Sequence, residues 1–328
     1  MNPSFLDTRR KLISSALSTP ALLTLPVSRA RAAIAGGKTV SLVVTYPAGG
    51  GADAMARLIA PRMAEALGQP VAVENRPGAS GTIAAQHVAR APNDGSVLML
   101  DASSFAVNPA LFQKLPYDPL TAFSTLGVVA QFPNVLVCTP SFEARTVDDV
   151  LRIARARPGS LAYASSGNGS AQHLAGALFE QLARVQLLHV PYKGGAPALT
   201  DVMGGQVPIF FANVASSLGH IQSGRLRALA VTAAVRCRVL PDVPTTAEAG
   251  VRGHEVLEWN PVFAPAGISP EVRSALSTAL ARAIADVEVL GRIRSLGGDA
   301  FSGDADRFVK DQIRLWGRVV REHGIRQG

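Results

Sequence analysis

The chain alternates short apolar runs with longer stretches of helical periodicity. Residues 40–45 form a continuous apolar run that reads as a buried strand. Tyr46, Pro47 and Ala48 break it, and three glycines, Gly49, Gly50 and Gly51, follow. Residues 52–67 then carry Leu58, Ile59, Met63 and Leu67 at helical spacing. Strand runs at 71–75 and 96–100 flank a helical stretch at 82–90, and Pro92-Asn93-Asp94-Gly95 marks a tight turn. This βαβαβ pattern predicts a parallel sheet with right-handed crossovers. Residues 108–119 are proline-rich and predict an irregular, exposed segment. Two separate strands are expected at 125–130 and 135–139.

A second α/β run follows. Thr146 caps a helix over 147–157, with Asp148 and Asp149 in its first turn. Strands at 161–165 and 187–190 flank a helix at 171–184, and further strands are expected at 207–213, 226–232 and 255–265. Tyr192-Lys193-Gly194-Gly195 reads as a turn, with Pro197 at a helix start. Ser269-Pro270-Glu271 opens a helix reaching about residue 286, and a last helix spans 305–323, packing through Phe308, Ile313, Leu315, Trp316 and Val320. Two α/β units thus emerge, the second inserted in the first. Strand-like crossovers near Phe132 and Trp259 would set them face to face across a cleft.

The chain has 328 residues, 48% of them hydrophobic and 17% charged, enough for two medium domains and unlike a disordered chain. Its net charge is +8, but Arg9, Arg10, Lys11, Arg29 and Arg31 against Asp7 supply +4 of it within the first 32 residues, leaving +4. The remaining basic residues are dispersed and aromatics make up 5%, which argues against a nucleic-acid groove. Residues 1–32 read as a signal peptide: Arg9-Arg10-Lys11, an apolar stretch over 12–27, and a small-x-small site at Ala30-Arg31-Ala32. The paired arginines fit a twin-arginine signal, and Lys11 with the short apolar run fits a general secretory one. Cys138 lies in an apolar strand and Cys237 in an expected loop; two cysteines make neither a metal site nor a redox motif. No His, Asp or Glu cluster has metal-ligand spacing.

Gly49-x-Gly51-x-x-Ala54, with Glu74 twenty residues beyond Ala54, fits a dinucleotide fingerprint, so an exported NAD(P)-dependent oxidoreductase is the alternative reading. Four residues separate the strand from Gly49, however, whereas a Rossmann turn starts at the strand end. Gly78-x-Ser80 lacks the last glycine of a nucleophile elbow, and nothing ties His173, His189 or His220 to a serine and an acid. The residues 49–53 and 165–170 each offer glycine-rich backbone at a helix start, where free N–H groups and the helix dipole favour an anion. Facing each other, they suit a small molecule with anionic or polar ends.

The motifs YPAGGGAD, LGQPVAVENRPGASG, PNDG, NPALFQKLPYD, YASSGNGSAQHLAGALF, HVPYKGGAPALTDVMGGQV, LRALAVT, LPDVPTTAEAG and FAPAGIS occur in that order. Through them, residues 38–325 resemble the Bug-type (TctC-like) extracytoplasmic receptors of tripartite tricarboxylate transporters. The resemblance implies an α/β, two-domain periplasmic-binding-protein fold of type II kind, each domain a mostly parallel sheet flanked by helices. Domain 1 would be 38–133 with 257–328, domain 2 the inserted 134–256, and the ligand cleft would lie between them. It implies a periplasmic, monomeric, non-enzymatic protein without cofactor or metal. Its ligand would be a small carboxylate, and its partners the transporter's membrane subunits or a sensor kinase. Tyr46 would be an aromatic wall. Gly50, Gly51, Ala52 and Asp53 would hold one end of the ligand, and Gly167, Asn168, Gly169 and Ser170 the other, chiefly through backbone N–H groups, with Lys193 secondary. Ser103, Ser104, Ser165, His173 and Asn213 complete the candidate ligand-binding set. Ala212 stands where many relatives carry aspartate, which argues against an amino-group contact there, and Asn260-Pro261 replaces a glycine-containing turn.

Overall fold

The computed structural model describes residues 34–322, 324 and 325; the expected signal peptide lies outside the described residues, as does His323. The first half-sheet begins with β1 (Val40–Val44), α1 (Gly51–Leu67), β2 (Val71–Asn75), α2 (Thr82–Ala89) and β3 (Val97–Leu100), with β1 parallel to both β2 and β3. Helix α1 runs through Pro61 because its inner face, Met55, Ile59 and Met63, is fully buried, and each such side chain contributes about 1.5–3 kcal/mol. Burial of that size outweighs one lost backbone hydrogen bond.

Helix α3 (Ser104–Leu111) takes in residues 108–111 of the segment expected to be irregular, whereas 112–119 are irregular as expected. Phe105, Val107 and Leu111 are buried, and the helix packs against α10, so tertiary contacts override Pro109 near its C-terminus. The two strands expected at 125–139 are one, β4 (Phe123–Cys138). It runs unbroken from one half-sheet into the other. Pro133 forgoes a ladder donor at the passage, where its partner is Leu257.

The inserted part comprises α4 (Val147–Ala156), β5 (Ala162–Ser165), α5 (Ala171–Ala183), β6 (Leu188–Pro191), α6 (Gly195–Met203), β7 (Ile209–Asn213), α7 (Val214–Gln222) and β8 (Arg227–Val231). Thr146 and Asp149 close a reciprocal capping box at the start of α4. Strand β9 (Leu257–Pro265) then returns to the first half-sheet. It is followed by α8 (Pro270–Ala285), α9 (Val287–Ser295), β10 (Asp299–Ala300) and α10 (Ala305–Glu322). Helix α9 was not expected; Asp286 ends α8 and caps α9, accepting from the amides of Glu288 and Val289.

The strand order is β2-β1-β3-β9-β4-β7-β5-β6, with β8 and β10 also paired to β4. β9 lies antiparallel beside β4, Phe132 opposite Glu258 and Gln131 opposite Trp259, so the two expected crossovers are neighbours in one ladder. Trp259 is buried there and packs edge-on against Phe308 of α10. Both cysteines are free and buried. Cys138 fills core as expected, and Cys237 lies in a loop as expected, but buried there against Gly297, with Sγ 3.4 Å from that carbonyl.

Candidate ligand-binding site

A cavity of about 50 Å³ lies where the carboxyl ends of the strands meet across the β4–β9 crossing. Its first wall is the loop 46–50 and the start of α1. The N-terminal amides of α1, Gly51, Ala52 and Asp53, find no acceptor among the described residues, and no side chain caps the helix. Gly50, Gly51 and Ala52 line the cavity, so a positive helix end faces into it.

Asp53 does not line the cavity. Its carboxylate accepts from the Gly49 amide at 3.0 Å, from Arg57 Nε at 3.0 Å and from Asn75 Nδ2 at 2.9 Å. Asn75 Nδ2 also holds the Tyr46 carbonyl at 3.0 Å. Burial alone would raise the Asp53 pKa, but these donors outweigh it and hold the carboxyl below its usual range. Asp53 is thus a strut that fixes the loop and aims the α1 amides. Tyr46 does line the cavity, and burial beside Asp101 pushes its hydroxyl far above the usual tyrosine range.

The facing wall differs from the expected one. In loop 165–170 Ser166 lines the cavity, whereas three of the backbone donors expected to hold a ligand are spent locally. The Gly167 amide donates to Ser165 Oγ, the Gly169 amide to His173 Nδ1 at 3.0 Å, and the Ser170 amide to the Gly167 carbonyl. Ser170 Oγ donates to the Gly167 carbonyl at 2.7 Å and accepts the His173 amide as the cap of α5. The Gly167, Gly169 and Ser170 amides, expected to hold a carboxylate, are therefore already engaged. Gly167 and Asn168 line an adjoining cavity of about 630 Å³, where Lys193 also lies and which shares Tyr46, Pro47, Ser166 and Gly194 with the first. Ser165 is buried, its Oγ 2.6 Å from His189 Nε2. His173 is a packing residue, its ring stacked on His189 at 4.1 Å. Burial lowers the pKa of His173 to about 4 and, with His173 beside it, that of His189 to about 3, so both rings are neutral at pH 7.

What faces α1 across the cavity is the start of α6: Gly194, Gly195, Ala196 and Pro197. The amides of Gly195 and Ala196 also lack an acceptor among the described residues, and no side chain caps α6. Gly194 has φ +114°, a conformation suited to glycine, and a Cβ there would stand 3.2 Å from Pro47 of the opposite loop. Asn213 and Ser216, at the start of α7, add a third helix end; Asn213 Oδ1 accepts the Ala215 amide, leaving Nδ2 as a donor. The signal for α6 was present in the sequence as strand, glycine pair, helix in HVPYKGGAPALTD, the same grammar as the first wall.

The remaining polar side chains lie around the crossing. Glu258 lines the cavity and is 8% exposed. Its Oε1 accepts both the Ser103 amide, at 2.9 Å, and Ser103 Oγ, at 3.2 Å. Its Oε2 accepts a long bond of 3.4 Å from Gln172 Nε2, which also donates to Asn134 Oδ1 at 3.0 Å. Burial raises the Glu258 pKa, and the donors pull part of it back. Ser103 is thus a support for Glu258, and Ser104 is buried beside the Tyr46 hydroxyl. Asp101 lies fully buried: Oδ1 accepts Thr45 Oγ1 at 2.5 Å and the Ala102 amide at 2.7 Å, while Oδ2 has no partner. Burial pushes its pKa to about 7. The cavity wall contains no Lys, Arg or His.

The pocket lies at convergent helix ends and is lined by no Lys, Arg or His. The model of the tripartite tricarboxylate transporter family receptor matches residues 55–325. The chain belongs to that family. Protein BugT of Bordetella pertussis is 35% identical over 294 residues, covering 88% of this receptor and 90% of BugT. Among solved structures, R. palustris Rpa4515, determined with adipate, superposes with a TM-score of 0.84 at 37% identity, covering 88% of this receptor and 98% of that chain. The periplasmic binding protein BugD gives 0.84 at 33% identity, covering 88% and 99%. The fold is therefore the α/β periplasmic-binding-protein fold, in a family of solute receptors and not of enzymes.

Proposed function

We propose that this receptor captures a small organic acid in the periplasm for uptake through the membrane subunits of a tripartite tricarboxylate transporter. One observation carries the reading: the uncapped first turns of α1 and α6, with Asn213 at α7, converge on a single small pocket without a cationic side chain. Backbone N–H groups and helix dipoles favour a carboxylate there, and neutral donors avoid the desolvation cost of a buried cation. The adipate found with Rpa4515 supports the ligand class. Residues 38–133 with 257–328 form one lobe and 134–256 the other; they close on the ligand where Pro47 meets Gly194. Residues 1–32 direct export.

Protein recovered from the periplasmic fraction, gently purified and then denatured should release a carboxylic acid identifiable by mass spectrometry. That acid, added back at 100 times its Kd, should stabilise the protein by about 2.7 kcal/mol. Stabilisation by NAD(P) with no response to any carboxylate would overturn the proposal.

A further inference from the structure

Glu258 is the only carboxylate among the residues lining the cavity, and no cation lies there to balance it. The groups that hold it are donors: the Ser103 amide and hydroxyl, the Gln172 amide and the Trp259 backbone N–H. It is therefore positioned as an acceptor. Its two oxygens are unequally used. Oε1 has two short contacts with Ser103, while Oε2 has the long contact with a Gln172 nitrogen better engaged by Asn134. A carboxylate offers about four lone-pair sites, so Oε2 retains acceptor capacity beside the cavity.

The pocket thus presents two opposite demands. The ends of α1 and α6 offer donors to an anion. Glu258 offers an acceptor, which rewards a donor; burial opposes its ionisation, and in the ionised form it repels a second anion.

We propose that Glu258 is a specificity determinant: it selects a carboxylic acid whose second functional group is a hydrogen-bond donor, such as an amide, hydroxyl or ammonium, and rejects dicarboxylate dianions. This rests on the carboxylate reading above and narrows it. The apolar lining from Pro47, Ala48, Pro197 and Phe210 suits the short hydrocarbon spacer between the two groups. β7 contributes no acidic side chain at Ala212, and the crossover strand β9 supplies the acceptor instead.

The test is a set of matched pairs measured calorimetrically at pH 8, where both carboxyls of a diacid are ionised. Succinate is paired with succinamate, glutarate with glutaramate and adipate with adipamate. In the wild type, the monoamide of the best-fitting pair should bind at least about tenfold tighter than its diacid. Glu258→Gln replaces an acceptor oxygen by an N–H donor of the same size, and it should reverse that order. If the wild type binds the diacids as tightly as the monoamides or more tightly, this proposal fails while the carboxylate reading stands. An unchanged preference in Glu258→Gln overturns it as well. If none of the six compounds binds the wild type, the carboxylate reading falls and this one with it. The wild-type comparison decides the matter even where the variant folds poorly.

Discussion

Replacing Asp101 by asparagine should remove a pH-dependent penalty from the fold. Asp101 is fully buried, one oxygen is unpartnered, and its pKa rises from the ordinary 3.8 to about 7 because burial disfavours the charged form. Between those two values the unfolded chain has released the proton while the folded chain retains it. The unfolded state then binds fewer protons, so stability falls as pH rises from about 4 to about 7, and is level beyond. At 1.36 kcal/mol per pH unit the full fall is about 4 kcal/mol. Wild-type stability alone will not display it. His173 and His254, lowered to about 4, and His189, lowered to about 3, are neutral in the fold and charged in the unfolded chain up to about pH 6.5. Their contribution rises with pH over nearly the same window, with opposite sign. The difference between Asp101→Asn and wild type isolates the carboxyl, since the histidines cancel. Asparagine can keep the acceptor for Thr45 and the Ala102 amide, so any cost of its extra N–H is a constant offset. Urea denaturation of both proteins from pH 4 to pH 8.5 should show the variant gaining up to about 4 kcal/mol relative to wild type, mostly between pH 4 and 7. A difference that stays constant to about 0.5 kcal/mol over that range would refute the reasoning.

Two further outcomes separate the observed site from the expected one. Ser170→Ala removes the cap of α5 and should cost about 0.5–2 kcal/mol in urea denaturation, while calorimetry shows ligand affinity changed less than about threefold, because the hydroxyl is spent inside its own loop. Gly194→Ala imposes a side chain at φ +114° and 3.2 Å from Pro47; affinity for the tightest-binding carboxylate should drop at least about tenfold, and unaltered affinity would mean that the two loops do not meet when the site is loaded.

The sequence exposed most of the architecture because hydrophobic periodicity and turn chemistry are local. The strand–glycine–helix unit at 40–67, the capping box at Thr146 and the proline-led start of α8 all depend on neighbouring residues alone. The failures are places where distant partners decide. Helix α3 forms against its apparent turn chemistry because α10 covers it, and β4 continues through Pro133 because β9 lies alongside. The same distinction explains the second wall of the site. Glycines and hydroxyls at 165–170 looked like an open anion cradle, yet His173, His189 and the Gly167 carbonyl consume their hydrogen bonds, a fact fixed only by folding. Gly194–Pro197 carried the same local signal, and there the amides of Gly195 and Ala196 find no acceptor among the described residues, while that of Gly194 donates to the Ser166 carbonyl. Glu258 was invisible as a site residue because its role depends on Ser103, 155 positions away in the chain.

Pro47 and Gly194 stand on opposite sides of the pocket and approach each other above it. Glu258 lies elsewhere in the lining, on the crossing strand β9. The contact between the two loops and the acceptor of the pocket are thus carried by different residues. A substitution at Glu258 can change the chemistry of the pocket while leaving the Pro47–Gly194 contact untouched.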